Sequence, residues 1–509
     1  MTPTITANQN SNLSKATQDY WNNPAADEQA SSSVAAGPQG VEASPADVED
    51  AVQIQGSSRG ERLPPANTPD GKTIERAQIH SGDQVSITRE QTMADAGYGR
   101  TYVSTDQLVL TTGAGDDRIE VGQRDDGTLD IQVNGEQYEV RLGATQELSI
   151  RAGAGDDVIC VASHVTVNIV VDGGDGNDFI RTGAGDDRID GGAGDDVIFA
   201  GDGRNDIFGG SGDDRIFGGN GSDIVHGGDG ADAIYGRGGD DFIEGGAGND
   251  IIHGGNGNNI LSGGRGDDVI RSGNGNNRIY AGAGSNDVTT AGGDNVIYAN
   301  ALSERINASA AASNTVMNVE IDSSLGTSIK VEGSPAFRQR IEAELDFLRA
   351  SPVGQRMLAE FDSAAENKGN SVTIRELSNE QNGYAQTFSR DADIVNGRVG
   401  AGGDVTISYN PSFHMDSFPT PIGVLYHEMS HAYNGVNGSF QPGTYVGEGP
   451  DSGQVPNAER QAVGLETSAA AFDFDNDAAT PRTTSNPHHL TENGFRRELG
   501  LPDRPNYTL

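Results

Sequence analysis

The sequence predicts a multidomain chain: a disordered N-terminal tail, a parallel β-roll solenoid and a C-terminal α+β domain. Three observations predict it. A glycine- and aspartate-rich unit repeats every nine residues from Gly173 to Thr289. After Gly333 the composition changes, and helix-spaced and strand-like apolar runs begin. Residues 1–72 carry almost no periodic hydrophobicity. The overall balance agrees, because 34% hydrophobic and 6% aromatic residues against 72 Gly cannot fill one large core in a chain of 509.

Residues 1–72 are rich in Ser, Asn, Gln, Ala and Pro, as in SSSVAAGPQG. Such a segment cannot bury enough apolar area to offset its ordering entropy, so disorder is expected. Its composition suits an uncleaved export signal, since no basic region precedes an apolar run of the secretory kind. No stretch approaches the ~18 apolar residues of a membrane span. The single cysteine, Cys160, rules out an intrachain disulfide framework. A net charge of −41 repels phosphate backbones and anionic lipid heads, so nucleic acid and membrane surfaces are poor partners and metal cations better ones. No feature sets an oligomeric state.

Residues 73–172 read as a β-rich cap. The runs QVSITRE, TYVSTDQLVL, TLDIQVNGEQYEVRL and VTVNIVVD have strand character, and Asn134-Gly135 signals a hairpin. Two isolated glycine–aspartate turns interrupt them, TGAGDDRIE (112–120) and AGAGDDVIC (152–160). Residues 173–289 then hold thirteen nine-residue units in one frame. Position eight is always Ile, Leu or Val, from Ile180 to Val288. One apolar residue per unit cannot stabilise that unit alone, but stacked units align them into one interior ladder. Position six is Asp178, Asp187, Asp196, Asp214, Asp223, Asp232, Asp241, Asp250 or Asp268, and Asn at 205, 259, 277 and 286. Carboxylates and turn carbonyls are hard oxygen ligands, which suit calcium. With 20 Asp and one Glu against eight Arg, residues 173–289 repel themselves without cations. The pattern resembles the RTX calcium-binding repeats, a resemblance that implies a β-roll with two units per turn and calcium between successive turns. The sites from Asn259 onward are expected to be weak. Residues 290–333 read as a cap and linker, with DNVIYA, NTVMNVEI and TSIKVEG.

Residues 334–509 read as one α+β domain. Ser334-Pro335 and Ser351-Pro352 each place an N-cap before a proline at the first helical position. SVTIREL and DVTISYN alternate as short strands, and Asp404–Asn410 is expected to be an edge strand that pairs with extended substrate. A third helix is expected from Pro421, capped by Thr420 and ended by Gly435. On it, His427 and His431 are four apart and project from one face, so both can ligate one zinc ion. Glu428 can reach a water on that metal and act as general base. This is the HExxH spacing of zinc peptidases. Asn434 and Asn437 stand where a metzincin would place Gly and His, so the third ligand must come from a later segment. NAERQAVGLE (457–466) reads as a helix, with Glu459 the expected ligand and Glu466 its rival on nearly the same face. His414, His488, His489 and Glu448 are weaker candidates. Tyr433, Tyr445 and Tyr507 are candidates for the oxyanion stabiliser.

HEMSHAYNG, NAERQAVGLE and TENGFRRELGLPDRPNY together resemble the NleD-like effector metallopeptidases of bacterial pathogens, over roughly Ser334 to Leu509. The resemblance implies a zincin-like, gluzincin-type endopeptidase with His427 and His431 as zinc ligands and Glu428 as catalytic glutamate, and it favours Glu459 as the third ligand. It also implies delivery into host cells by type III secretion and host protein substrates, among them mitogen-activated protein kinases. The long repeat array is not part of that family's compact pattern. The expectation is therefore a secreted zinc metalloendopeptidase with one catalytic zinc and several structural calcium ions. The roll would be unfolded at low cytosolic calcium and fold outside the producing cell. The alternative is a calcium-dependent adhesion or scaffold protein with an inactive peptidase-like domain.

Overall fold

Position eight of each repeat decides the first half of the molecule. In the computed structural model, which describes residues 52–507 apart from 57–58, 70, 98–99, 301, 303, 310, 378–382, 388–391, 396, 413–418 and 475–481, successive units alternate between two parallel sheets. Residues 18 apart are therefore neighbours on one sheet: Ile180 faces Ile198, and Ile189 faces Ile207. Every position-eight side chain is at most 1% exposed, and together they form one core. Fully burying such a side chain contributes about 1.5–3 kcal/mol, so the array gains its stability only as a stack. Glycine is required at the close approaches. At Gly174 (φ 107°) a side-chain carbon would collide with the carbonyl of Gly153 on the preceding turn.

The solenoid is longer than the nine-residue period suggests. The two turns that the sequence isolates belong to the same ladder, since Val158 pairs with Arg118 on one side and with Phe179 on the other. A hairpin, Leu129–Val133 with Glu136–Arg141, is inserted between them and stretches that step to 40 residues. Its turn is Asn134 (φ 50°) and Gly135 (φ 94°), the positive φ pair that the dipeptide predicts. Beyond Thr289, strands Gly293–Ala299, Arg305–Ala308 and Ala312–Asn318 continue both sheets before the chain leaves the solenoid.

The expectation of disorder over residues 1–72 fails at its C-terminal end. Val52–Gln55 pairs in parallel with Glu136–Arg141, and Glu61–Asn67 pairs with Thr73–Ser81. Both are edge strands: Glu61–Asn67 carries two prolines and no apolar alternation, and Val52–Gln55 alternates over only four residues, with Ile54 alone buried in the core. Residues 1–51 lie outside the described part.

Among its described residues the C-terminal domain holds five α-helices: α1 (Pro335–Ala350), α2 (Pro352–Lys368), α3 (Pro421–Asn437), α4 (Asn457–Val463) and α5 (Glu492–Glu498). Ser334 and Ser351 accept the N–H groups of Phe337 (3.2 Å) and Gly354 (2.8 Å), the two expected caps. The sheet runs in the order Lys330–Glu332, Val372–Glu376, Val405–Tyr409, Gly383–Thr387. Asp404–Asn410 is thus not an edge. Val405–Tyr409 is paired on both sides, and Gly383–Thr387 takes the edge as its antiparallel neighbour.

This domain and the solenoid share a core. Ile224, Phe242, Ile260, Tyr280 and Tyr298 of the second solenoid sheet pack in one apolar cluster with Phe337, Phe347 and Phe495. Phe347 stands 4.3 Å from Tyr280 and 5.8 Å from Phe242, centroid to centroid. Buried Arg340 of α1 pairs with Asp206 at 3.0 Å, and Gln339 donates to the carbonyl of Gly210. Among the described residues no helix is long and apolar enough to cross a membrane.

Candidate metal centre

α3 starts at Pro421, where the missing N–H costs nothing, and Thr420 makes no side-chain cap bond. It runs past the expected stop at Gly435 to Gly438, which takes the left-handed conformation (φ 67°) that ends it. Pro421 to Val436 are all buried, so packing fixes the direction of each side chain. His427 and His431 lie one turn apart with ring centroids 4.9 Å from each other and planes at 84°. Both are buried, as is Glu428.

α4 brings the third group. Glu459 Oε2 stands 2.9 Å from His431 Nε2 and 3.7 Å from His427 Nε2. The ligand atoms of His427, His431 and Glu459 all lie within 4.8 Å of one another, a set that could hold one metal ion. Two imidazoles and a carboxylate are the donors of catalytic zinc sites that keep a further position open. Glu466 is not on this face. Gly464 (φ 91°) ends α4 after Val463, short of the expected Glu466, and Glu466 is exposed beyond it. Gln461 ties α4 to α3, with its amide donating to Asn434 Oδ1 (3.0 Å) and the Ser439 carbonyl (2.9 Å).

Sequence reasoning did not find Glu492. It is 1% exposed, and its Oε2 contacts His427 Nδ1 at 2.9 Å and accepts from Arg504 Nη1 at 2.9 Å. A carboxylate on the far ring nitrogen sets the tautomer and aims the other nitrogen at the metal position. The only local signal was Thr491, whose hydroxyl caps α5 one residue earlier. Burial works against the His427 imidazolium, yet Glu459 and Glu492 raise it to about 10. Burial likewise works to raise Glu459, but His431 and His427 hold it well below its ordinary range. Metal binding would displace the His427 proton.

Of the three tyrosines, Tyr507 is at the centre, its ring 6.3 Å from that of His427. Burial, then the nearby Glu459 and Glu428 carboxylates, raise its phenol, so the hydroxyl stays a donor. Asp451, fully buried, accepts the Tyr507 N–H (2.9 Å) and pairs with Arg460 of α4, joining the tail to the helix of Glu459. Tyr433 donates to the Phe474 carbonyl, and Tyr445 lies under Arg460. Glu448 and His488 are exposed, the His489 carbonyl accepts from Tyr426, and His414 lies outside the described residues.

A second candidate centre is the aspartate ladder. The N–H of Asp178 donates to Asp196 Oδ1 (2.7 Å), that of Asp196 to Asp214 Oδ1 (2.8 Å), and so on along the stack. The other oxygen, Oδ2, is buried without a hydrogen-bond partner at Asp178, Asp187, Asp196, Asp214, Asp223, Asp232, Asp241, Asp250 and Asp268. Asp157, in the second isolated turn, has the same orphan and was missed. An orphaned buried carboxylate oxygen is costly, and a hard cation satisfies it. Burial pushes Asp157 up to about 6 and Asp268 to about 7, and with Asp232 and Asp196 alongside it pushes Asp214 up to about 9.

Residues 326–507 match the Peptidase M91 family model, described as an effector protein. Six overlapping segments within residues 172–297 match the RTX calcium-binding nonapeptide repeat model. Comparison with curated proteins found no match.

Proposed function

The chain joins a C-terminal Peptidase M91 effector domain to RTX calcium-binding nonapeptide repeats, and from that premise we propose that it is a secreted zinc endopeptidase that cleaves proteins of a host cell. The observation that carries this reading is the convergence of His427, His431 and Glu459 beside Glu428. These three would hold the zinc, which supplies Lewis acidity at the scissile carbonyl. Glu428 takes a proton from the attacking water and delivers it to the leaving amine. Glu492 orients His427 through Nδ1. Tyr507 offers a neutral hydroxyl to the charge that develops on the carbonyl oxygen. Host signalling kinases of the mitogen-activated class are the substrates favoured by the resemblance of the HEMSHAYNG, NAERQAVGLE and C-terminal segments to NleD-like enzymes.

The experiment is a survey of new protein N-termini in host extract treated with the calcium-loaded wild type or with Glu428→Gln. New termini that appear only with the wild type are expected. Equal cleavage by both proteins ends the mechanism, and no cleavage by a zinc-loaded wild type favours the scaffold alternative.

A further inference from the structure

Residues 18 apart share one long edge of the solenoid, and the two edges differ. On the first edge, position six is Asp at 157, at 178 and at every eighteenth residue on to 268, before Asn286. Each of these seven carboxylates gives Oδ1 to the N–H of the rung before it, and each keeps a buried Oδ2 without a partner. The side chains aim these oxygens into the stack: a carbon placed on Gly245 would collide with Asp250 Oδ2.

On the second edge the same position reads Asp187, Asn205, Asp223, Asp241, Asn259, Asn277 and Asn295. An amide nitrogen takes the place of the orphan oxygen. Asn259 Nδ2 lies against Gly254 (2.9 Å to the position of a side-chain carbon), the slot that Asp250 Oδ2 fills at Gly245. Asn277 Nδ2 donates to the Gly275 carbonyl (3.1 Å) and Asn295 Oδ1 (2.9 Å), and Asn205 Nδ2 donates to Asp223 Oδ1 (3.0 Å). An N–H donor cannot ligate a cation, and at Asn205 and Asn277 it bonds along the edge to the next rung instead. Asp241 and Asn259 of this edge also line a cleft of about 600 Å³ whose other wall is Thr420 and Leu499–Pro502 of the peptidase domain.

We infer that calcium loads the solenoid in an unbroken row along one edge, between the aspartates from Asp157 to Asp268, while asparagines at 205, 259, 277 and 295 interrupt the row on the other edge and leave it a single aspartate-flanked gap. Seven aspartates leave six gaps for ions on the first edge. The second edge has one gap flanked by aspartates, Asp223 and Asp241. The inference rests on the calcium reading of the repeats and is independent of the peptidase mechanism.

The test is the number of calcium ions retained by the full chain, read by native mass spectrometry, for the wild type and two triple variants. Asp196→Asn/Asp214→Asn/Asp232→Asn alters four of the six gaps, and about four ions should be lost. Asp187→Asn/Asp223→Asn/Asp241→Asn should lose no more than one. Equal losses, or a loss of two or more from the second variant, overturn the inference. If the first variant does not fold, the second variant and the wild-type count still decide.

Discussion

The two candidate metal centres are built from opposite electrostatic material. In the peptidase centre, imidazoles and carboxylates already pair: His431 meets Glu459 and His427 meets Glu492, each at 2.9 Å. In the solenoid, like charges stack, and each aspartate leaves one oxygen orphaned. The difference teaches which ion is structural. The peptidase centre pairs its carboxylates with its own imidazoles, so its fold is expected to persist without the metal. The aspartate ladder has none, so near neutral pH it is expected to need a cation to complete it.

The largest expected effect comes from calcium withdrawal. Because solenoid residues such as Phe242 and Tyr280 complete the core around Phe347, chelating calcium should abolish the far-ultraviolet β signal and the peptidase activity together. Removing zinc alone should abolish activity and leave the β signal unchanged. Peptidase activity that persists without calcium would break the comparison.

Next is Tyr507→Phe, which should lower kcat about 10²-fold with little change in KM or in zinc content. Full activity in this variant would remove Tyr507 from the mechanism. Glu492→Gln should weaken zinc affinity about 10–100-fold, read by competition with a chromophoric chelator, while the calcium-bound fold persists.

The smallest effect sharpens the electrostatic contrast. Burial raises the native-state carboxyls of Asp178, Asp196 and Asp232 to about 7, 8 and 8, above their ordinary value near 4. The calcium-free native state therefore binds more protons than the unfolded chain. Its stability is full in acid and falls as pH rises from about 4 through 6–9. In chelator, the β signal lost at pH 8 should return as pH is lowered to 5, and saturating calcium should remove that dependence. A calcium-free protein that is most stable at alkaline pH would contradict the raised values.

Much of this was legible from local pattern. A nine-residue period with one apolar position dictates stacking, and two units per turn dictate the 18-residue register. The Ser334 and Ser351 caps and the His427–His431 pair are also local, since one or two helical turns set their geometry. Glu61–Asn67 was illegible because its edge strand carries no alternation, and Val52–Gln55 because its alternation spans only four residues beside a polar tail. The stop at Gly438 was misplaced to Gly435 because α3 is buried on every side, and there a glycine can continue the helix.

By itself the chain's order of residues determined the ladder and the paired imidazoles, because each depends on spacings that repeat or close within a turn; the register of two units per turn came from the resemblance to RTX repeats. Only the tertiary structure decided which carboxylates serve the imidazoles and which edge lies beside the peptidase domain. Glu492 meets His427 across 65 residues and Glu459 meets His431 across 28. No local period links such partners. Packing of α4, α5 and the solenoid sheet brings them together, and that packing is a property of the whole core.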